Sequence, residues 1–220
     1  MGGTLDQRLI HLVDVTKTYT LENAAPKLVL RPTTLTVPTD RRIAVLGKRR
    51  SGKSTFLKLL AGNESPSEGQ IFSRVRISSV IRPGSLFHPR LNSAENLRFY
   101  ARTLNVDLEE LTLAVSAYST VSTNRGTDHR GESTEQRKAV EVALLTLQSF
   151  GCYLIDEIGH LAEDVRHRLL HAAAQQGAGI IFSTNLPQLA RRYAEGAIVI
   201  RDGLARPFAS IERAIQFHER

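Results

Sequence analysis

Two short stretches carry residue types that converge on one chemistry. Gly47-Lys48-Arg49-Arg50-Ser51-Gly52-Lys53-Ser54 fits the pattern G-x-x-x-x-G-K-[ST], and Thr55 follows it. Glycines at the ends of such a loop let backbone N–H groups turn inward around a phosphate, the lysine reaches the terminal phosphates and the serine hydroxyl can hold Mg²⁺. Residues 47–55 are therefore the candidate nucleotide-binding residues. The second stretch, Leu154-Ile155-Asp156-Glu157, is an apolar run ending in two carboxylates. Asp156 would contact Mg²⁺, mostly through water, and Glu157 would be the general base or water-orienting group for attack on a γ-phosphate. A nucleoside triphosphate with Mg²⁺ is the expected ligand, with Ser54 and Asp156 as the contacts of the metal.

Chemistry of this kind needs elements that hold the two stretches together. Ile43-Ala44-Val45-Leu46 is a continuous apolar run just before the loop, as expected of a strand buried on both faces of a parallel sheet. After the loop, Phe56, Leu57, Leu59 and Leu60 form the apolar stripe of a helix that Gly62 is placed to stop. Cys152-Tyr153-Leu154-Ile155 and Gly179-Ile180-Ile181-Phe182-Ser183 read as two more buried strands, with a helix over 164–175 between them. The alternation predicts an α/β domain with a parallel sheet. The N-terminal region reads as short strands and turns, with Leu28-Val29-Leu30 and Leu35-Thr36-Val37 bracketing Arg31-Pro32. Residues 93–147 read mostly as helix, with Ser93 and Asp107 as caps, a polar loop over 120–132 and a capping box at Ser133 and Gln136. Residues 197–208 read as a hairpin around Asp202-Gly203, and Ser210 caps a last short helix. Asp164, His167 and His171 share a face of the 164–175 helix, either as a possible metal pair or as a solvated polar face.

With 220 residues and 41% hydrophobic residues, the chain can bury a full core as one domain, and disordered or collagen-like classes drop out. The net charge of +7 points toward anionic partners such as nucleotides, nucleic acid or an acidic membrane face. The basic residues are dispersed and Trp is absent, so an aromatic and basic nucleic-acid surface is not written here and nucleic acid is not an expected partner. A single cysteine, Cys152, excludes an internal disulfide framework and fits a reducing compartment. No stretch has the roughly 18 consecutive apolar residues of a spanning helix, and residues 1–6 resemble neither a signal peptide nor a myristoylation site. The expected location is cytoplasmic, with any membrane role borrowed from a partner.

The layout from about residue 11 to 220 resembles the nucleotide-binding subunit of an ABC transporter. That resemblance implies a P-loop fold of ABC type over 1–220, with a mostly parallel central sheet, an N-terminal antiparallel β subdomain and a helical subdomain over about 88–150. It implies that Tyr19 stacks on adenine, although an aromatic residue in a strand can equally be core. The segment from Phe87 to Phe99 resembles the Q-loop and following helix of ATPases that export capsular or other cell-surface polysaccharides. Cys152 to Glu157, Arg201-Asp202-Gly203 and Ile211 to Ile215 agree with that subfamily. The implied partners are an integral membrane permease and a second ATPase subunit, identical or not, with the chain peripheral on the inner face of the cell membrane. Residues 87–102 would dock the permease, with Leu91, Leu97 and Phe99 as candidate contacts.

Three positions depart from the family pattern in the direction of weaker hydrolysis. His88 stands at the Q-loop glutamine and Asn185 at the switch histidine, so both count as catalytic candidates of altered type. Glu132-Ser133-Thr134-Glu135-Gln136 stands at the signature that meets the opposite subunit's ATP. There Thr134 adds bulk and Glu135 either faces the anion or caps its own helix. A hydrolysis-impaired regulatory subunit and a soluble nucleic-acid-associated ATPase of ABC type are the alternatives to an exporting motor.

Overall fold

The computed structural model describes residues 8–20, 25–84, 87–88, 90–116 and 134–219, the side chains of 134–136 excepted. In chain order the elements are β1 (Leu9–Tyr19), β2 (Lys27–Pro38), β3 (Arg42–Leu46), α1 (Lys53–Leu60), β4 (Glu68–Ser73), β5 (Ile77–Ile81), α2 (Ser93–Leu104), α3 (Leu108–Ser116) and α4 (Thr134–Thr146). They continue with β6 (Cys152–Ile155), a single 3₁₀ turn at Ile158–His160, α5 (Glu163–Gln175), β7 (Gly179–Thr184), α6 (Pro187–Tyr193), β8 (Gly196–Arg201), β9 (Leu204–Phe208) and α7 (Ile211–Glu219). The chain packs as two units. One comprises Met1–Ile81, Phe150–Gly159 and Ala173–Arg220, the other Arg82–Ser149 and His160–Ala172.

The first unit holds a three-stranded antiparallel sheet, β2-β1-β4, and a six-stranded sheet in the order β5-β6-β7-β3-β8-β9. All neighbours in the larger sheet are parallel except β8 and β9, which form the expected hairpin. Continuous apolar runs are right for β3 and β6 because both faces are covered: Ala44, Val45, Leu46 and all four residues of β6 are fully buried. Phe56 and Leu57 of α1 join Ile10, Leu12 and Val37 of the antiparallel sheet and Val45 and Leu154 of the parallel one in a single core. Each such side chain stabilises by roughly 1.5–3 kcal/mol on burial. Cys152 lies inside this core, and burial pushes its thiol up to about 12, the state of an inert structural cysteine.

Arg31-Pro32 does not break the N-terminal strand as the sequence suggests: β2 runs through it for 12 residues. The strand tolerates proline because it is an edge strand and its pairing with β1 slips there, from Val15 opposite Thr33 to Lys17 opposite Leu30. The Arg31 N–H turns away from the ladder to the Gly203 carbonyl, at 2.8 Å. Strands β4 and β5 and helix α6 carry too little periodicity to stand out in the sequence.

The second unit is helical, with Leu97, Ala101, Leu111, Val115, Val140 and Leu144 at its centre. Its first helix is capped one residue earlier than expected. Asn92, not Ser93, accepts the Glu95 N–H, and Glu95 reaches back to the Asn92 N–H. Asp107 caps α3 as expected, accepting the Glu109 and Glu110 N–H groups. The expected loop over 120–132, Ser133 and the side chains of Thr134, Glu135 and Gln136 lie outside the described residues. On α5, His167 pairs loosely with Glu163 at 3.7 Å on a solvated face. Among the described residues no three His, Cys, Asp or Glu side chains are placed to hold a metal.

Candidate functional site

The strand order explains why residues far apart in the chain meet. β7 lies between β3 and β6, so the loop after β3, the end of β7 and the acidic pair after β6 emerge side by side at one edge of the sheet. Ligands of open parallel sheets bind at this carboxyl edge. The loop itself is built for close approach. Gly52, the residue before α1, has φ 105°, and a Cβ there would meet Val29 Cγ1 at 2.9 Å. A Cβ on Gly47 would meet the Ile200 carbonyl at 2.7 Å. No side chain caps α1, so the N–H groups of its first turn are left for an anion.

Lys53 is 9% exposed, and its ammonium donates to the Gly47 and Lys48 carbonyls at 2.8 and 2.9 Å, which curls the loop around it. Burial lowers its pKa, and the carboxylates of Asp156 and Glu157 act against that shift. The Ser51 hydroxyl is buried without a hydrogen-bond partner. A cradle of N–H donors, a desolvated ammonium and an unpartnered hydroxyl fit a triphosphate, and the half-buried Ser54 hydroxyl with Asp156 fits its Mg²⁺. A cavity of about 450 Å³ runs along Lys48, Arg49, Arg50 and Ser51. His218 also lines it; burial, with the ammoniums of Lys53 and Lys48, holds that imidazole below its ordinary range. Lys53, Ser54 and Asp156 are not among its lining residues, so this basic cavity is not the chemical centre.

Ser183 is a site residue that motif reading passes over. Fully buried on β7, its hydroxyl donates to Asp156 Oδ1 at 2.6 Å and accepts the Glu157 N–H at 2.8 Å. It therefore orients both acids at once, with Glu157 turned out of the strand line by its left-handed φ of 62°. A serine one step from a strand end has no spacing signature; only the neighbouring strand gives it a role. Ser183→Ala leaves the buried Asp156 carboxylate and the half-buried Glu157 N–H without that partner. The expected result is a loss of about 1–3 kcal/mol in denaturation stability, together with a hydrolysis rate about tenfold lower and ATP affinity near wild type. Unchanged stability and turnover would remove Ser183 from the site.

Asn185 follows β7 directly and is exposed. His88 belongs to the helical unit and is exposed. Its Nδ1 accepts the Arg90 N–H at 3.3 Å, which leaves Nε2 as the N–H, a group suited to phosphate oxygen and unsuited to a metal. The backbone around it is tied to α4: Glu141, 1% exposed, accepts the Gly84 and Phe87 N–H groups, and Arg137 donates to the His88 and Leu91 carbonyls. Tyr19, at the end of β1, lies with its hydroxyl 3.3 Å from Thr55 Oγ1.

A P-loop feeding its helix, with an acidic pair at the end of a strand two places away in a parallel sheet, defines a nucleoside-triphosphate-binding domain. The chain belongs to the ABC transporter family, which it matches over residues 30–159. It is 26% identical over 215 residues to the ATP-binding protein BexA of Haemophilus influenzae, covering 96% of this chain and 98% of that one. It is 25% identical, with the same coverage, to the capsule polysaccharide export ATP-binding protein CtrD of Neisseria meningitidis serogroup B. Among solved structures, an ATP-binding subunit of an ABC transporter matches with a TM-score of 0.73 at 21% identity, over 95% of this chain and 93% of that one. The dimeric post-hydrolysis state of the cassette MJ0796, bound to ADP and Pi, matches with a TM-score of 0.73 at 19% identity, over 91% and 99%.

Proposed function

We propose that this chain is the ATP-hydrolysing subunit of an ABC transporter that exports a cell-surface polysaccharide, working as a dimer on a separate membrane permease. The buried Lys53 curled into the P-loop beside the Ser183-oriented Asp156 and Glu157 carries the reading. When bound, Mg-ATP supplies the phosphoanhydride whose hydrolysis drives the cycle. Residues 47–55 hold its phosphates, Ser54 and Asp156 hold the metal, and Tyr19 offers a ring to the base. Glu157 takes a proton from water, and His88 and Asn185 take donor roles toward the terminal phosphate by their positions in the family pattern. Ser133, Thr134, Glu135 and Gln136 meet the opposite subunit's nucleotide. Both packed units belong to one ABC-type domain. Among the described residues no helix is long and apolar enough to cross a membrane. Attachment to the inner face of the cell membrane comes through the permease in this reading.

Within 87–102 the docking residues need revising. Leu97 is 1% exposed and belongs to the helical core, so it cannot be a contact; Phe99, 58% exposed and edge-on to Tyr100, can. Phe99→Asp is expected to abolish co-purification with the permease partner, while ATP binding is kept. Loss of surface polysaccharide on deletion of the gene, restored by wild type and not by Phe99→Asp, completes the test. Co-purification undiminished by the aspartate would overturn the docking assignment. An unchanged polysaccharide coat after deletion would overturn the export role.

A further inference from the structure

The end of β1 and the far end of the phosphate helix share one small charged network. The Tyr19 hydroxyl donates to Glu64 Oε2 and lies 3.3 Å from Thr55 Oγ1. Glu64 in turn takes the Lys58 ammonium at 2.9 Å on Oε1 and the Lys17 ammonium at 3.6 Å on Oε2. Lys17, two residues before Tyr19 on the same strand face, also stands over the Tyr19 ring, 5.1 Å from its centre. Its ammonium is fixed independently by the Ser65 carbonyl at 2.8 Å. The Glu64 side chain is 20% exposed and that of Lys17 14%, so both are largely covered.

Both partners of the Tyr19 hydroxyl sit on one element and its exit. Thr55 is in the first turn of α1, and Glu64 follows the turn that closes it, where the Asn63 and Glu64 N–H groups return to the Lys58 carbonyl. The helix that presents the P-loop N–H groups therefore also holds the aromatic ring by its hydroxyl end. A ring tethered at one point can swing about its side-chain torsions; a ring tethered at its hydroxyl and covered on one face by an ammonium keeps one orientation. Burial works against ionisation of Glu64, but the hydrogen bonds from Tyr19 and Lys58 outweigh it and hold the carboxyl below its ordinary range. The same network raises the Tyr19 phenol, first through burial and then through the Glu64 hydrogen bond, so it stays a donor.

We propose that Glu64 is a positioning residue for nucleobase recognition: it locks the Tyr19 ring to the phosphate helix, setting the span between the stacking face and the phosphate cradle before nucleotide arrives. The proposal rests on the reading of Tyr19 as the base platform. Preorganisation of this kind acts on affinity for a ligand that has a base and leaves a ligand made of phosphates alone untouched.

The test compares Mg-ATP with Mg-tripolyphosphate by titration calorimetry on the full chain. Tyr19→Ala is expected to weaken ATP about tenfold and leave tripolyphosphate unchanged. Glu64→Ala is expected to weaken ATP about fourfold, with tripolyphosphate affinity and turnover at saturating ATP unchanged. Glu64→Gln, which keeps the shape and an acceptor for the phenol, is expected to recover most of that loss. Tyr19→Phe combined with Glu64→Ala should be no weaker than the worse single variant, because both remove one tether. If Tyr19→Ala binds ATP like wild type, the platform reading fails and takes the proposal with it. If Tyr19→Ala is weakened and Glu64→Ala is not, the platform stands and the positioning role is wrong. Equal weakening of ATP and tripolyphosphate by Glu64→Ala would make Glu64 a support of the phosphate helix and nothing more.

Discussion

Glu157→Gln is expected to bind Mg-ATP with wild-type affinity and release phosphate at least about 100-fold more slowly. Glutamine keeps the size of the side chain and the backbone N–H that Ser183 accepts, so the geometry after β6 is retained. What it loses is the capacity to take a proton from the attacking water, the step that a general base accelerates by about 10²–10⁴. Affinity is spared because Glu157 is assigned to the water rather than to the phosphates, and the neutral side chain even relieves repulsion against a polyanion. Phosphate release under single-turnover conditions, beside calorimetric titration of ATP, separates the two quantities. Turnover within a factor of a few of wild type would place the base elsewhere and leave Glu157 as the acidic turn of a strand end.

Lys53→Ala has the second large effect and the opposite signature. Its ammonium is the one charged group drawn into the loop, held at 2.8 and 2.9 Å by two carbonyls of the loop itself. Truncation removes the main point charge that a triphosphate meets, and ATP affinity should fall at least about tenfold, roughly 1.4 kcal/mol. The loss also frees the Gly47 and Lys48 carbonyls, so the curl of the loop loosens. Global stability should change little, since an ammonium that burial already disfavours is removed with the hydrogen bonds that compensated it. Calorimetric titration measures the first effect and urea denaturation the second. Equal ATP affinity in the two proteins would remove the lysine from the phosphate site.

Much of this site is legible along the chain because its chemistry is local. A P-loop is a contiguous run in which each residue type has its own role, so Gly47, Gly52, Lys53 and Ser54 mark the sequence together, even though Ile200 and Val29, which exclude a Cβ at the two glycines, lie far along the chain. Buried strands are legible for a related reason: coverage on both faces of a parallel sheet leaves no polar positions, so Ile43 to Leu46 and Cys152 to Ile155 stand out as unbroken apolar runs. Asp107 is legible as a cap because capping is a contact within three residues.

Tertiary structure alone decided the parts that depend on which strands are neighbours. Nothing in the order of the chain says that β7 lies between β3 and β6, and it is that placement which gives Ser183 its two acids. Pro32 reads as a break until β2 is seen to be an edge strand with a slipped register. Glu141 reads as an ordinary helical carboxylate until the Gly84 and Phe87 N–H groups are found on it. Glu64 and Tyr19 are 45 residues apart with no shared motif, and they meet because the exit of α1 brings Glu64 to the end of β1. The physical division is one of range: backbone-turn and capping requirements act over a few residues and mark the sequence, whereas close approaches and hydrogen bonds between elements depend on which groups the packing brings near.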